Sequence, residues 1–163
     1  GTKFILAEPP FTLYPDFLDD VLFQLQVRRL VPIIAHPERN TEFQRRPGRL
    51  RRLIERGVLT QLTGGSLLDE FGPAARKAAE FFIQNGLVHM VASDMHRPRR
   101  VRTPELSSAY GRAVELIGEE YARQLFEDTP RSIIDGRDPE VETPRSRAYG
   151  RRRWLWPFRR REE

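Results

Sequence analysis

Cysteine is absent from all 163 residues. That removes disulfides, thiolate metal sites and any cysteine nucleophile, so a cysteine-based phosphatase is excluded outright. Lysine is nearly absent as well, since 28 basic residues include only Lys3 and Lys77. No apolar run approaches the roughly 20 residues that cross a bilayer, and no signal peptide is visible. The chain also lacks a basic body. Its net charge is +5, but residues 145–163 hold eight arginines against two glutamates, which leaves −1 for everything before them. A nucleic-acid partner therefore has no electrostatic footing in the fold. Gly1 stands where an initiator methionine would, and it leads directly into a strand, which points to a fragment or a partial reading frame.

What is present alternates strand and helix. Residues 3–8 read as a buried strand, and Pro15 opens a helix through about Arg29 with Phe17, Leu18, Val21, Leu22 and Leu25 near one face. Val31 to His36 reads as a second strand. A helix from Pro47 ends at Gly57, and Val58 to Thr63 is a third strand. Gly64-Gly65 makes a turn, with Ser66 as N-cap of a helix that breaks near Gly72-Pro73 and resumes through Gln84. Leu87 to Ser93 is the fourth strand, and helices follow over about 104–117, 118–127 and 130–135. Continuous-apolar strands separated by helices predict parallel βα units with right-handed crossovers. The expected class is α/β, with four parallel βα units and C-terminal helices over 1–136. A basic tail, 137–163, is expected to be disordered. Its Arg/Trp-rich segment 151–161 has a second reading as a weak contact with an anionic membrane surface.

The side chains at the strand ends carry the chemistry. Glu8 ends the first strand, His36 the second, and Asp94 and His96 follow the fourth. Parallel strands of a βα protein deliver such residues to one mouth. Carboxylate and imidazole donors suit Mn, Fe or Zn and argue for metal-assisted hydrolysis. Arg39 in His36-Pro37-Glu38-Arg39-Asn40 hangs over the same mouth, where a guanidinium matches phosphate oxygens. The backbone amides of Thr63 to Ser66 can receive a phosphate or simply form a capping turn. His89 lies within a strand and reads as a satisfied core histidine rather than a ligand.

These motifs resemble a known family. Phe4-Ile5-Leu6-Ala7-Glu8-Pro9-Pro10-Phe11, Pro32-Ile33-Ile34-Ala35-His36-Pro37-Glu38-Arg39, Gly65-Ser66-Leu67-Leu68 and Val91-Ala92-Ser93-Asp94-Met95-His96 occur in that order. They resemble the bacterial manganese-dependent protein-tyrosine phosphatases of the PHP superfamily. The likeness spans roughly residues 3–136.

The resemblance implies a partial distorted (β/α)7 PHP barrel. It implies Mn2+, or Fe, Zn or Mg, in a multinuclear site with Glu8, His36, Asp94 and His96 as metal ligands. It gives Arg39 the substrate phosphate, with Arg102 as a second such arginine and Arg100 as the alternative. It implies a cytoplasmic enzyme acting on a phosphotyrosine protein, an autophosphorylating tyrosine kinase that controls capsule and exopolysaccharide synthesis. The family's H-x-H motif has no match in this chain, and a catalytically incomplete fragment is one alternative. Another PHP hydrolase, such as a histidinol-phosphate phosphatase or a nuclease-like enzyme, is the other.

Overall fold

The computed structural model describes residues 1–96 and 106–140, so Arg100, Arg102 and the segment 151–161 fall outside the described residues. Strands β1 (Phe4–Ala7), β2 (Val31–Ala35), β3 (Leu59–Thr63) and β4 (Met90–Ala92) form one sheet in chain order. Every pairing is parallel, with Ala7 beside Ile34, Ala35 beside Gln61 and Thr63 beside Ala92. This is the predicted βα alternation, and it sends the carboxyl ends of all four strands to one rim.

The helices are α1 (Leu18–Val27), α2 (Thr41–Arg45), α3 (Pro47–Glu55), α4 (Gly64–Leu67), α5 (Pro73–Gln84), α6 (Ser107–Ile117), α7 (Glu119–Arg123) and α8 (Thr129–Ile134). A π-helical turn over Gln124–Asp128 joins the last two. The π turn and α7 run together where the sequence pattern suggests a single segment over 118–127. Helix α1 begins at Leu18, three residues after Pro15, because Pro15 and Phe17 are spent on a turn in which the Leu18 amide donates to the Pro15 carbonyl.

Successive strand residues face opposite sides, so each strand feeds two cores. Ile34, Leu62 and Val91 face the main cluster, with Leu22, Phe43, Leu50 and Phe82 of the helical layer and Leu87 from the segment before β4. Ile33, Leu59 and Met90 face the other side, where Ile133 of α8 packs on them. Phe43 and Phe82 are fully buried, and each contributes roughly 1.5–3 kcal/mol through the area it removes from water.

Two expectations are corrected here. The first strand is not buried: Ile5 and Leu6 are 37% and 55% exposed. Among the described residues β1 is an edge strand, paired on one side only, so its continuous apolar run does not imply two covered faces. Ser66 is not an N-cap. Helix α4 starts at Gly64 with Thr63 in the cap position, and the Ser66 hydroxyl has a different partner described below. The ordered fourth strand is also shorter than expected. His89 precedes it, and the residue is nonetheless the satisfied core histidine expected, since its Nδ1 accepts from the Thr60 amide at 3.1 Å.

Candidate active site

Three of the four strand ends deliver candidate donors to the rim, one each after β1 and β2 and two after β4. Glu8 follows β1 directly and His36 follows β2, and the register that sets Ala7 beside Ile34 puts the two side by side. His36 Nε2 lies 3.2 Å from Glu8 Oε1. The imidazole is buried, while the Glu8 side chain is about half exposed. The His36 amide donates to the Gln61 carbonyl at 2.7 Å, which continues the ladder one residue past the strand. Then the backbone turns sharply, with His36 at φ 33° and ψ 56°. Left-handed backbone is unusual for a non-glycine residue and is held only where surrounding contacts dictate it.

Asp94 repeats that device after β4, at φ 52°. Its carboxylate reaches two ways. Oδ2 lies 3.7 Å from an Arg39 terminal nitrogen, and Oδ1 lies 3.5 Å from His96 Nδ1. That same Nδ1 is 2.8 Å from the Asp94 carbonyl oxygen. The tautomer protonated at Nδ1 makes this a hydrogen bond and puts the ring's acceptor lone pair on Nε2. Asp94 and His96 thus stand on one side of the turn that follows β4.

Arg39 is brought back over the rim by the 3-10 turn Pro37–Arg39, in which its amide donates to the His36 carbonyl at 3.0 Å. Its guanidinium is clasped between two rings. Cζ lies 4.4 Å from the Phe11 centroid and 4.3 Å from the Phe71 centroid. Phe11 also packs on the His36 ring, with centroids 5.2 Å apart.

Electrostatics fit the donor chemistry. Burial pulls the His36 pKa below its ordinary value, while the Glu8 carboxylate and, less strongly, Asp94 oppose that. The ring is therefore neutral near pH 7, the form in which imidazole binds a metal. The described residues supply donors as two pairs, Glu8 with His36 and Asp94 with His96. No three carboxylate or imidazole groups among them stand close enough to enclose an ion. The fit to a metal centre is thus that of a partial shell.

Beneath the rim sits a carboxylate that the sequence reading passed over. Glu38 is completely buried, and burial pushes its pKa up to about 7 against the hydrogen bonds that favour ionisation. Oε1 accepts from the Ser66 hydroxyl at 2.7 Å and from the Thr63 amide at 3.1 Å. The Thr63 amide, counted in the sequence among possible phosphate donors, is therefore already taken. Asn40 ties the same turn to the Phe11 loop. Its Nδ2 donates to the Pro10 and Leu13 carbonyls, and its Oδ1 accepts from the Glu42 and Phe43 amides that open α2.

The family described as "Capsular polysaccharide synthesis, CpsB/CapC" matches residues 1–135. The chain is 33% identical over 155 residues to the tyrosine-protein phosphatase YwqE of Bacillus subtilis, covering 91% of this chain and 59% of that protein. It is 32% identical over 141 residues to the tyrosine-protein phosphatase CpsB of Streptococcus agalactiae serotype III, covering 82% of this chain and 57% of that protein. A solved structure also superposes on it with a TM-score of 0.80 at 31% identity, covering 88% of this chain and 57% of the other. That structure is described as one of "YwqE from Bacillus subtilis and CpsB from Streptococcus pneumoniae, unique metal-dependent tyrosine phosphatases". The chain thus spans less than two thirds of the length of these relatives.

Proposed function

The chain belongs to the CpsB/CapC family of capsular polysaccharide synthesis, and on that footing we propose that it serves metal-dependent hydrolysis of phosphotyrosine in a protein substrate. The substrate class follows that of its relatives, which are tyrosine-protein phosphatases, and a tyrosine kinase in capsule control is the partner that class suggests. The four βα units would be part of a PHP barrel, with 1–136 as the catalytic portion and 137–163 as an appended tail.

The observation that carries the reading is the company Arg39 keeps. A guanidinium held between two rings, with Asp94 at its edge and neutral His36 beside it, is a fixed cation at a rim of metal-type donors. Glu8, His36, Asp94 and His96 would hold the metal. A divalent cation, when bound, supplies charge stabilisation to phosphoryl oxygens and lowers the pKa of attacking water. Arg39 binds the phosphoryl group through its N–H edge and neutralises charge that grows there as the ester bond breaks. Asp94 orients Arg39, and burial keeps His36 unprotonated at working pH. Arg102 is proposed as a second phosphate ligand on resemblance alone.

The test joins two measurements on the whole chain: bound metal, and turnover of a phosphotyrosine peptide with added manganese. Manganese-dependent turnover is expected. Arg39→Ala should slow it by about 100-fold or more while metal content holds, in line with the loss of one preorganised charge-stabilising group. Metal lost along with activity in that variant would refute the phosphate role. A second reading is favoured by the absence of any three-donor cluster among the described residues. In it, this chain alone binds metal weakly and turns over nothing, and the same pair of measurements would show that directly.

A further inference from the structure

Phe11 sits at the rim with more of its surface open than its contacts require. Its ring covers one face of the Arg39 guanidinium and packs on the His36 ring, yet the residue remains 39% exposed. Its loop is held from below: Asn40 donates to the carbonyls on either side of it, at Pro10 and Leu13. The Phe11 carbonyl itself accepts from the Thr41 amide at 2.8 Å. The ring is therefore placed by four residues of fixed backbone, not by a loose loop.

The clasp also restricts how Arg39 can be used. With Phe11 over one face and half-buried Phe71 over the other, an anion can reach the guanidinium only in its plane, through the N–H edge. An ester group leaving such a phosphate along the rim passes the open edge of Phe11. An aryl ester meets a ring at that point, in the offset or edge-on geometry that aromatic pairs prefer. An alkyl ester has no comparable surface to offer.

We propose that Phe11 is a specificity-determining residue, a wall that selects aryl over alkyl phosphate monoesters bound to Arg39. The inference rests on the phosphate role given to Arg39 above. It predicts that discrimination between the two ester classes depends on the ring at position 11 and not on Arg39 alone, since both classes present the same phosphoryl group.

The experiment is a titration of the whole chain, followed by 1H–15N NMR, with phenyl phosphate and separately with methyl phosphate. The readout is the ratio of the two affinities, which needs no turnover and no bound metal. Wild type should favour phenyl phosphate by roughly 2- to 12-fold, the range of a single aromatic contact. Phe11→Leu keeps an apolar side chain of similar bulk and should bring the ratio close to one. Phe11→Tyr, which keeps the ring, should restore it. A ratio unchanged in Phe11→Leu, or not restored in Phe11→Tyr, overturns the assignment of Phe11 while leaving Arg39 as a phosphate ligand. Failure of the wild type to bind either ester overturns the Arg39 role and the aryl wall with it.

Discussion

Two buried imidazoles in this chain are kept neutral, and the reasons differ. His89 is a structural acceptor. The Thr60 amide donates to its Nδ1, and burial drives its pKa down to about 4. Protonation would set one N–H against another. The folded pKa lies below the ordinary value of 6.5, so the unfolded chain takes up this proton first as pH falls. The stability that neutral His89 supports is fully present above pH 6.5 and is lost as pH drops toward 4. The loss is at most about 3 kcal/mol. His89→Gln should therefore show a shallower acid limb than wild type in urea denaturation between pH 7 and pH 4, and parallel profiles would sink the idea. His36 owes its lowered pKa to burial too, but it faces Glu8 at 3.2 Å and lies on the rim. The sequence separated the two correctly, since one histidine closes an apolar run while the other sits inside one. It did not separate Glu38 from Arg39. Adjacent charged residues look alike in a sequence, and here one is entirely buried while the other reaches the mouth.

At the level of elements, the join between β2 and α2 holds most of what the sequence hid. The strands were legible because parallel ladders ask for apolar runs, and their order in the sheet follows their order in the chain. Helix α2 was not legible, because five residues are too few to show a period. Its start signal was present in Asn40, whose side chain caps it. The same side chain makes four hydrogen bonds while almost fully buried, two to the cap and two to the Phe11 loop. Asn40→Ala should cost about 2–4 kcal/mol, read from the urea midpoint, because it strands two amides and two carbonyls. Asn40→Ser keeps a side-chain oxygen for the cap and drops the donation to the loop, so it should cost visibly less. Equal losses would mean that the cap on α2 contributes nothing. The clasp of Phe11 and Phe71 on Arg39 was equally hidden. The three residues lie on separate connections, and nothing in their spacing brings them together.

Taken whole, the molecule is held unevenly across its sheet. β2 and β3 are paired on both sides and packed on both faces, whereas β1 pairs only with β2 among the described residues and leaves Ile5 and Leu6 partly in solvent. Local opening draws on elements with few buried contacts, so β1 should open well before the rest. In native-state hydrogen exchange, the Ala7 amide should lose protection at least about 10-fold faster than that of Ile34, and comparable rates would contradict the unevenness. The single-domain expectation over 1–136 carries no hint of this, since hydrophobic runs do not say which strand stands at an edge. The difference reaches the rim itself. Among the described residues, His36 is mounted on a strand gripped from two directions, Glu8 on one gripped from a single direction. The site has one stationary jaw and one yielding jaw. Whatever bridges them must first still the yielding one, so part of its binding energy is absorbed in ordering β1, and a graft that braced that strand would sharpen affinity without altering a single ligating atom.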